Sequence, residues 1–162
     1  MNKISVLLLL MISVGCSVDA PKRFSEKALQ DKVITLHNDT VTFNKVLEKH
    51  QGKKIMLEVW ASWCGDCIEG MPKVKELQKE FPDVVFLFVS LDKSLEDLKA
   101  GIDRYNVTGE HYFLPSEWKG DLGTFLGLDW IPRYMVLDER GQIVLFKAVK
   151  SDDSRIIDAL KK

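Results

Sequence analysis

Apolar and polar residues alternate along the chain in segments that fit strands separated by helices. Residues 54–60 and 84–91 are apolar on both faces, which is typical of inner strands in a sheet covered on two sides. Between them, apolar residues recur at spacings of three and four from Ile68 to Phe81, which predicts an amphipathic helix. A second helix is predicted over residues 94–104, with Ser94 as its N-cap. This order of elements predicts an α/β fold.

Shorter strands are predicted on either side of this centre. Residues 33–43 are rich in β-branched side chains and predict a strand or hairpin that leads into a short helix. Toward the other end, residues 133–138 and 142–149 predict two strands joined by a turn, and a last helix begins near Asp152. The pattern therefore predicts one domain over residues 33–162, with an antiparallel hairpin late in its sheet.

The first residues have the pattern of a secretory signal peptide. Lys3 precedes an apolar run at residues 6–12, and small residues follow just before Cys16. The run is shorter than the roughly 20 apolar residues of a membrane-spanning helix, so an uncleaved anchor is the weaker interpretation. Residues 1–15 are predicted to be the signal peptide, and residues 16–32, which are polar and show little periodicity, a tether.

The residues before Cys16 resemble the lipobox of bacterial lipoproteins, in which this cysteine becomes the lipidated first residue of the mature chain. Ser13 stands where that box usually has Leu. Lipidation of Cys16 would leave Cys64 and Cys67 as a single pair, whereas a plain signal peptide would leave one spare thiol. The resemblance therefore implies attachment to a membrane through lipid at Cys16.

Charge and composition limit the classes of partner. The chain has 162 residues, with 23 Lys and Arg against 24 Asp and Glu and a net charge of −1. It lacks the basic excess that binding to nucleic acid requires, so no nucleic-acid partner is predicted. A hydrophobic content of 46% with few glycines and prolines predicts a folded domain.

Cys64 and Cys67 lie where an inner strand is predicted to end and the amphipathic helix to begin. A thiol at a helix N-terminus has a pKa that falls from about 8.5 toward 7 or below, because the helix dipole stabilises the thiolate. Cys64 is therefore the predicted nucleophile of a thiol-disulfide exchange, and Cys67, one turn later, the resolving thiol. Gly65 and Asp66 separate the two cysteines, and the Asp66 charge either opposes the dipole and lowers the reduction potential or is simply solvated.

Two other roles for the cysteine pair are weaker. Zinc usually takes four ligands, and the mature chain offers these two thiols with three histidines at spacings unlike those of a zinc finger. A structural disulfide that closes so short a loop would constrain the unfolded chain little. No metal site is predicted, and a redox role accounts for the pair best.

The stretch from Trp60 to Cys67, WASWCGDC, resembles the active-site motif of the thioredoxin superfamily, in particular that of the exported TlpA/ResA-like thiol-disulfide oxidoreductases. Pro72 in the next helix and Ile131-Pro132 before a strand match the same family. The resemblance covers about residues 33–160 and implies a thioredoxin fold, a central mixed β-sheet with helices on both faces. Residues 94–119 exceed the minimal fold and look like the insertion of the TlpA-like subfamily.

The resemblance also implies roles for residues outside the motif. Pro132 matches a cis proline beside the active cysteines, whereas the sequence by itself favours a trans proline at an edge strand. In the family, the backbone of the preceding residue, here Ile131, pairs with the substrate chain. Trp63 is the tryptophan expected to be exposed at the site, and Trp118 and Trp130 are interpreted as packing residues.

Glu58 is the sole ionisable residue of its apolar strand and precedes Cys64 by six positions, where thioredoxins have a buried Asp. Burial raises the pKa of a carboxyl group, and a pKa near neutrality suits a general base that takes the proton of Cys67. In the alternative, Glu58 reaches solvent past the edge of the sheet.

These features predict a monomeric, membrane-tethered, extracytoplasmic disulfide reductase that needs no cofactor. The resemblance implies disulfide-containing exported proteins, apocytochrome c among them, as substrates and a membrane thiol-relay protein as electron donor. The same cysteines could serve an oxidase or isomerase. An alternative from another class is a copper metallochaperone on a thioredoxin fold, with the two thiols and His111 as candidate ligands.

Overall fold

The computed structural model describes residues 20–162. The predicted signal peptide over residues 1–15 and the predicted lipid attachment at Cys16 lie outside this part of the chain. None of the helices between residues 20 and 162 is long and apolar enough to span a membrane. The helices are α1 Glu26–Gln30, α2 Phe43–Lys49, α3 Gly65–Glu80, α4 Leu95–Tyr105, α5 Asp121–Phe125 and α6 Ser154–Lys161. The strands are β1 Lys32–Thr35, β2 Thr40–Thr42, β3 Ile55–Trp60, β4 Val85–Ser90, β5 Glu110–Phe113, β6 Arg133–Leu137 and β7 Ile143–Ala148.

The seven strands form one mixed sheet in the order β2-β1-β5-β4-β3-β6-β7. At its centre β3 pairs in parallel with β4 and antiparallel with β6, and β6 continues into the antiparallel hairpin with β7. All six residues of β3 are buried, as expected for a strand covered on both faces. The predicted mixed sheet, its two inner strands and its late hairpin are confirmed.

Helix α3 follows the predicted amphipathic pattern and starts next to the end of β3. Its buried side consists of Cys67, Met71, Val74 and Leu77, which recur every three or four residues. Residues 61–64 form the connection from β3, so the start of α3 is held at the carboxyl end of a central strand. The cysteine motif therefore lies just beyond the carboxyl end of a fully buried central strand.

The predicted insertion over residues 94–119 is built into the sheet. It contains α4, a single turn of 3-10 helix over Glu117–Lys119, and β5, which lies between β1 and β4. The sequence pattern did not predict β5, because it has four residues and carries Glu110 and His111 among its aromatic side chains. Pairing with β4, rather than local pattern, makes this segment a strand.

The predicted tether is folded in its second half. Helix α1 buries Ala28 completely, and Phe24 packs with Phe43 and Phe125 at ring-centroid distances of 5.1 and 5.0 Å. The carboxylate of Asp31 accepts a hydrogen bond from the backbone of Leu122 at 2.9 Å. The predicted boundary at residue 33 therefore falls inside a packed segment, because these apolar contacts lie too far apart in the sequence to give a periodic pattern.

Candidate active site

Cys64 is the N-cap of α3, and Cys67 lies in the first turn of that helix. The two form a disulfide with their Cα atoms 5.3 Å apart. The Sγ atom of Cys64 accepts a hydrogen bond from the backbone N–H of Cys67 at 3.1 Å, so a donor already faces this sulfur. The arrangement stabilises negative charge on Cys64 when the disulfide is reduced. Cys67 is fully buried and Cys64 is 6% exposed, so an incoming sulfur meets Cys64 first.

The loop before β6 lies against the same sulfur. The Ile131-Pro132 peptide bond is cis, as the resemblance implies, and the trans alternative is wrong. The carbonyl oxygen of Ile131 is 3.6 Å from Cys64 Sγ. A polypeptide that approaches Cys64 therefore passes the backbone of Ile131.

Arg133 holds this loop in place, which the sequence analysis did not anticipate. Its side chain is fully buried and donates hydrogen bonds to the carbonyls of Leu126 and Gly127 at 2.8 and 2.9 Å. It also forms an ion pair with Asp129 at 2.5 Å. A buried guanidinium can satisfy several acceptors at once, so Arg133 fixes the path of the chain leading to Ile131.

The other side of the site is fixed by Asp92, which follows β4. Its carboxylate accepts hydrogen bonds from the backbone N–H and the hydroxyl of Ser62 at 3.0 and 2.6 Å. Helix α4 packs closely on this connection, since a side chain at Gly101 would collide with Ser62. The connection that presents Cys64 is thus held by side chains from elements distant in sequence.

Three tryptophans form an apolar groove of about 350 Å³ beside Cys64. Trp63 and Trp130 are 55% and 61% exposed, and Trp118 lies in the 3-10 turn over Glu117–Lys119. The predicted exposure of Trp63 is confirmed, and the interpretation of Trp130 as a packing residue is wrong because Trp130 is exposed. Trp118 does pack against the hydrophobic core, as interpreted, and it also lines the groove. Local sequence could not show the groove, because it forms only where the segment around Trp118 and the loop before β6 meet α3.

Glu58 lies in the middle of β3 and is 1% exposed, so the alternative in which it reaches solvent is wrong. The antiparallel register places Tyr134 directly opposite, and the Tyr134 hydroxyl lies 3.1 Å from Glu58 Oε1. Burial raises the pKa of Glu58 to about 8, while the hydrogen bond with Tyr134 acts in the other direction. Its second oxygen, Oε2, accepts no hydrogen bond from any residue in the described range 20–162. The site thus contains a carboxyl group that changes charge near neutral pH.

His111 is buried in β5, where its ring stacks on Phe88 at a centroid distance of 4.9 Å. Its Nε2 atom lies 3.0 Å from the carbonyl oxygen of Val107, and burial lowers the pKa of its imidazole. Among residues 20–162, no three His, Cys, Asp or Glu side chains converge in the manner of a metal site. The structure therefore does not bring His111 into a ligand set with the cysteines.

The part of the chain that carries this site is similar to known proteins. The family model described as thioredoxin-like matches residues 52–143, which include β3, both cysteines and the cis proline. The chain belongs to the thioredoxin-like family. Its similarity to the thioredoxin-like protein YneN of Bacillus subtilis is 34% identity over 101 residues, which cover 60% of this chain and 57% of YneN. Its similarity to the thiol-disulfide oxidoreductase ResA of Oceanobacillus iheyensis is 27% identity over 127 residues, covering 77% of this chain and 61% of ResA.

A solved structure shows the same fold as this thioredoxin-like protein. A thiol:disulfide interchange protein from Bacteroides sp. superposes with a TM-score of 0.69 at 22% identity, covering 86% of this chain and 88% of that one. The chain aligns with less than two thirds of the length of YneN and of ResA. The fold and the family are thus established.

Proposed function

We propose that this thioredoxin-like protein is a membrane-tethered, extracytoplasmic thiol-disulfide oxidoreductase that reduces disulfides of exported proteins. The observation that carries the proposal is the placement of Cys64. It caps a helix that follows a central strand, receives the Cys67 N–H at 3.1 Å and lies beside the backbone of Ile131. Relatives named as a thiol-disulfide oxidoreductase and as a thiol:disulfide interchange protein support the general activity.

The reaction uses both sulfurs in turn. The Cys64 thiolate attacks one sulfur of a substrate disulfide, so a mixed disulfide forms and one substrate thiolate leaves. The Cys67 sulfur then attacks Cys64 Sγ, the Cys64–Cys67 disulfide forms and the second substrate thiolate leaves. Two electrons pass to the substrate, and a dithiol partner must return them before the next cycle. The full burial of Cys67 suits it to this second, internal attack.

Glu58 acts as general base for the second attack. Cys67 must lose its proton to become a nucleophile, and the buried carboxylate accepts that proton. The Tyr134 hydroxyl that contacts Glu58 also lies against the position of Gly70, one turn after Cys67 in α3. This chain of contacts from Glu58 through Tyr134 to Gly70 supports a position of the carboxyl group near the first turns of α3.

The substrate chain binds along Ile131 and Pro132, with Trp63 as an exposed apolar contact. The Ile131 carbonyl at 3.6 Å from Cys64 Sγ supports this placement. The apolar groove continues from Cys64 to Trp118 and Trp130, so it suits an extended segment with an apolar side chain near its disulfide. Gly65 and Asp66, between the cysteines, line the same groove and influence the reduction potential of the cysteine pair.

The proposals of membrane tethering and of particular partners rest on the sequence. The leader and Cys16 support export and attachment by lipid, and such a location requires an electron donor, because an oxidising compartment returns free thiols to disulfides. A membrane thiol-relay protein fits that need. Exported proteins with disulfides, apocytochrome c among them, are the proposed substrates, and the protein acts as a monomer.

The reduction potential of the Cys64–Cys67 pair tests the direction of electron flow. The protein is equilibrated with glutathione or dithiothreitol redox buffers, and the oxidised fraction is measured by thiol labelling. A value near or below about −250 mV is expected for a reductant. A value above about −150 mV would make the protein an oxidant or isomerase and would overturn the proposed direction.

Trapping tests the roles of the two sulfurs. Cys67→Ser leaves Cys64 able to attack but unable to be released, so mixed disulfides with substrates should accumulate. Cys64→Ser is the matched control and should trap little, because Cys67 is fully buried. Trapping by Cys64→Ser in place of Cys67→Ser would exchange the two roles.

A further inference from the structure

The burial of Glu58 limits its ability to act as a base. Its side chain is 1% exposed in the centre of the sheet, and its pKa of about 8 leaves the carboxyl group protonated in most molecules at pH 7. A protonated carboxyl cannot accept the proton of Cys67. The carboxyl group must therefore release its own proton to solvent before it acts as the proposed base, on which this inference rests.

Tyr134 is the group through which that proton can leave. Its hydroxyl is 3.1 Å from Glu58 Oε1, and the tyrosine itself is fully buried. A phenol both donates and accepts a hydrogen bond, so it can take a proton from one neighbour while giving its own to another. The second neighbour is Ser151, whose hydroxyl faces the same space beside Gly70 as the phenol does.

Both hydroxyl groups lie next to Gly70. A Cβ atom at this position would lie 3.1 Å from the Tyr134 oxygen and 3.1 Å from Ser151 Oγ. The absence of a side chain at residue 70 thus leaves both hydroxyl groups on a common space beside α3. Any larger residue here would stand against both of them.

Ser151 connects this space to the surface. It is 9% exposed and lines an open groove of about 570 Å³. The charged residues that line this groove are Asp66, Glu69, Lys73, Lys150 and Asp152. A proton that reaches Ser151 therefore arrives at the water of this groove.

We propose that Tyr134 and Ser151 relay protons between the buried Glu58 carboxyl group and this groove. Glu58 gives its proton to the Tyr134 oxygen as Tyr134 gives its own to Ser151 Oγ, and Ser151 passes a proton to water. Each hydroxyl group ends with one proton, Glu58 becomes a carboxylate, and water gains the proton. The reverse sequence protonates Glu58 again.

The exchange rate of the Glu58 proton tests the relay directly. Carbon-13 labelled glutamate in the oxidised protein reports protonated and ionised Glu58 by NMR, and line broadening near the midpoint of titration gives the rate. We expect this rate to fall at least tenfold in Tyr134→Phe and Ser151→Ala, each compared at its own midpoint. Gly70→Ala should also slow the exchange, because its methyl group enters the space between the hydroxyl groups.

Two further variants separate the relay from a structural effect. Ser151→Thr keeps a hydroxyl group and should restore exchange to within threefold of the wild-type rate. Tyr112→Phe removes a hydroxyl group that contacts Glu110 instead and should leave the rate unchanged. An unchanged rate in both Tyr134→Phe and Ser151→Ala would overturn the relay.

A separate measurement keeps the base role of Glu58 distinct from the relay. Single-turnover release of a mixed disulfide is followed in the wild type and in Glu58→Gln. Slow release in Glu58→Gln together with unchanged proton exchange in the hydroxyl variants would reject the relay and support Glu58 as the general base. Normal release in Glu58→Gln would reject Glu58 as the general base, while slowed proton exchange in the hydroxyl variants would still support the relay through Tyr134 and Ser151.

Discussion

Trp130 donates its indole N–H to the carboxylate of Asp66 at 3.1 Å. The hydrogen bond joins the loop before the cis proline to the first turn of α3, across the apolar groove beside Cys64. One residue between the two cysteines thus carries a charge near the reactive sulfur and holds a wall of the groove. The two effects can be separated by substitution.

Asp66→Asn should raise the reduction potential of the cysteine pair by about 10 to 30 mV, since 30 mV corresponds to about 1.4 kcal/mol for a two-electron couple. The amide keeps an oxygen that can accept from Trp130 but removes the negative charge that opposes a thiolate on Cys64. Equilibration with glutathione buffers gives the potential. Asp83→Asn, at an exposed site beyond the other end of α3, is the matched control. Equal potentials in Asp66→Asn and the wild type would mean that Asp66 is only a solvated charge.

Trp130→Ala should weaken the binding of peptide substrates while leaving the chemistry of the cysteines intact. An exposed tryptophan in a groove can contribute 2 kcal/mol or more to binding, which corresponds to a rise in KM of about thirtyfold. The reduction of the Cys64–Cys67 disulfide by dithiothreitol, which is too small to fill the groove, should keep its rate. Val144→Ala removes another exposed apolar side chain, on β7, and serves as control. A loss of rate with dithiothreitol would instead show that Trp130 acts on the cysteines themselves.

Glu58 should make the stability of the oxidised protein fall as pH rises. Folding raises the pKa of this carboxyl group from 4.5 to about 8, so the folded state binds the proton more tightly than the unfolded state. The resulting stabilisation is complete below pH 4.5 and is lost as pH rises to about 8. A shift of this size corresponds to about 5 kcal/mol, at about 1.4 kcal/mol per pKa unit.

Urea unfolding of the wild type and of Glu58→Gln between pH 4.5 and 9 measures this contribution. The free energy of unfolding of the variant, relative to the wild type, should increase by about 4 to 5 kcal/mol over that range. Glutamine has the same shape and does not ionise, so other titrating groups cancel in the difference. A difference that stays constant with pH would show that Glu58 has an ordinary pKa in the folded protein.

Local patterns predicted the centre of this fold but not the contacts that complete its site. The apolar segments of β3 and β4 and the spacing along α3 could be recognised from the sequence, because each element buries one continuous surface. The role of Tyr134 could not be recognised in this way, since an aromatic residue in an apolar strand is typical of packing. Its role depends on the strand register that places it opposite Glu58. Arg133 is a comparable case, because its acceptors Leu126 and Gly127 belong to the preceding loop rather than to its own strand.

The start of the folded domain offers the last prediction. Chains that begin at residue 20 and at residue 33 should differ in stability by about 2 to 3 kcal/mol, because burying one phenylalanine side chain contributes up to about 3 kcal/mol and Phe24 is partly buried. The shorter chain loses the packing of Phe24 on Phe43 and Phe125. It also loses Asp31, whose carboxylate accepts from the Ser116 hydroxyl and from the backbone of Leu122, both at 2.9 Å.

Urea midpoints of the two chains measure this difference in stability. Substrate binding in the groove should also differ between the two chains. Ser116 and Leu122 lie on either side of the 3-10 turn that contains Trp118. The loss of Asp31 therefore removes two hydrogen bonds that hold this side of the groove in place. The KM for a peptide substrate should therefore rise in the chain that begins at residue 33. Asp31→Asn in the longer chain isolates this contact from the loss of Phe24. Equal midpoints and equal KM values would place the start of the functional domain at residue 33, and the packed segment before it would then contribute nothing to the site.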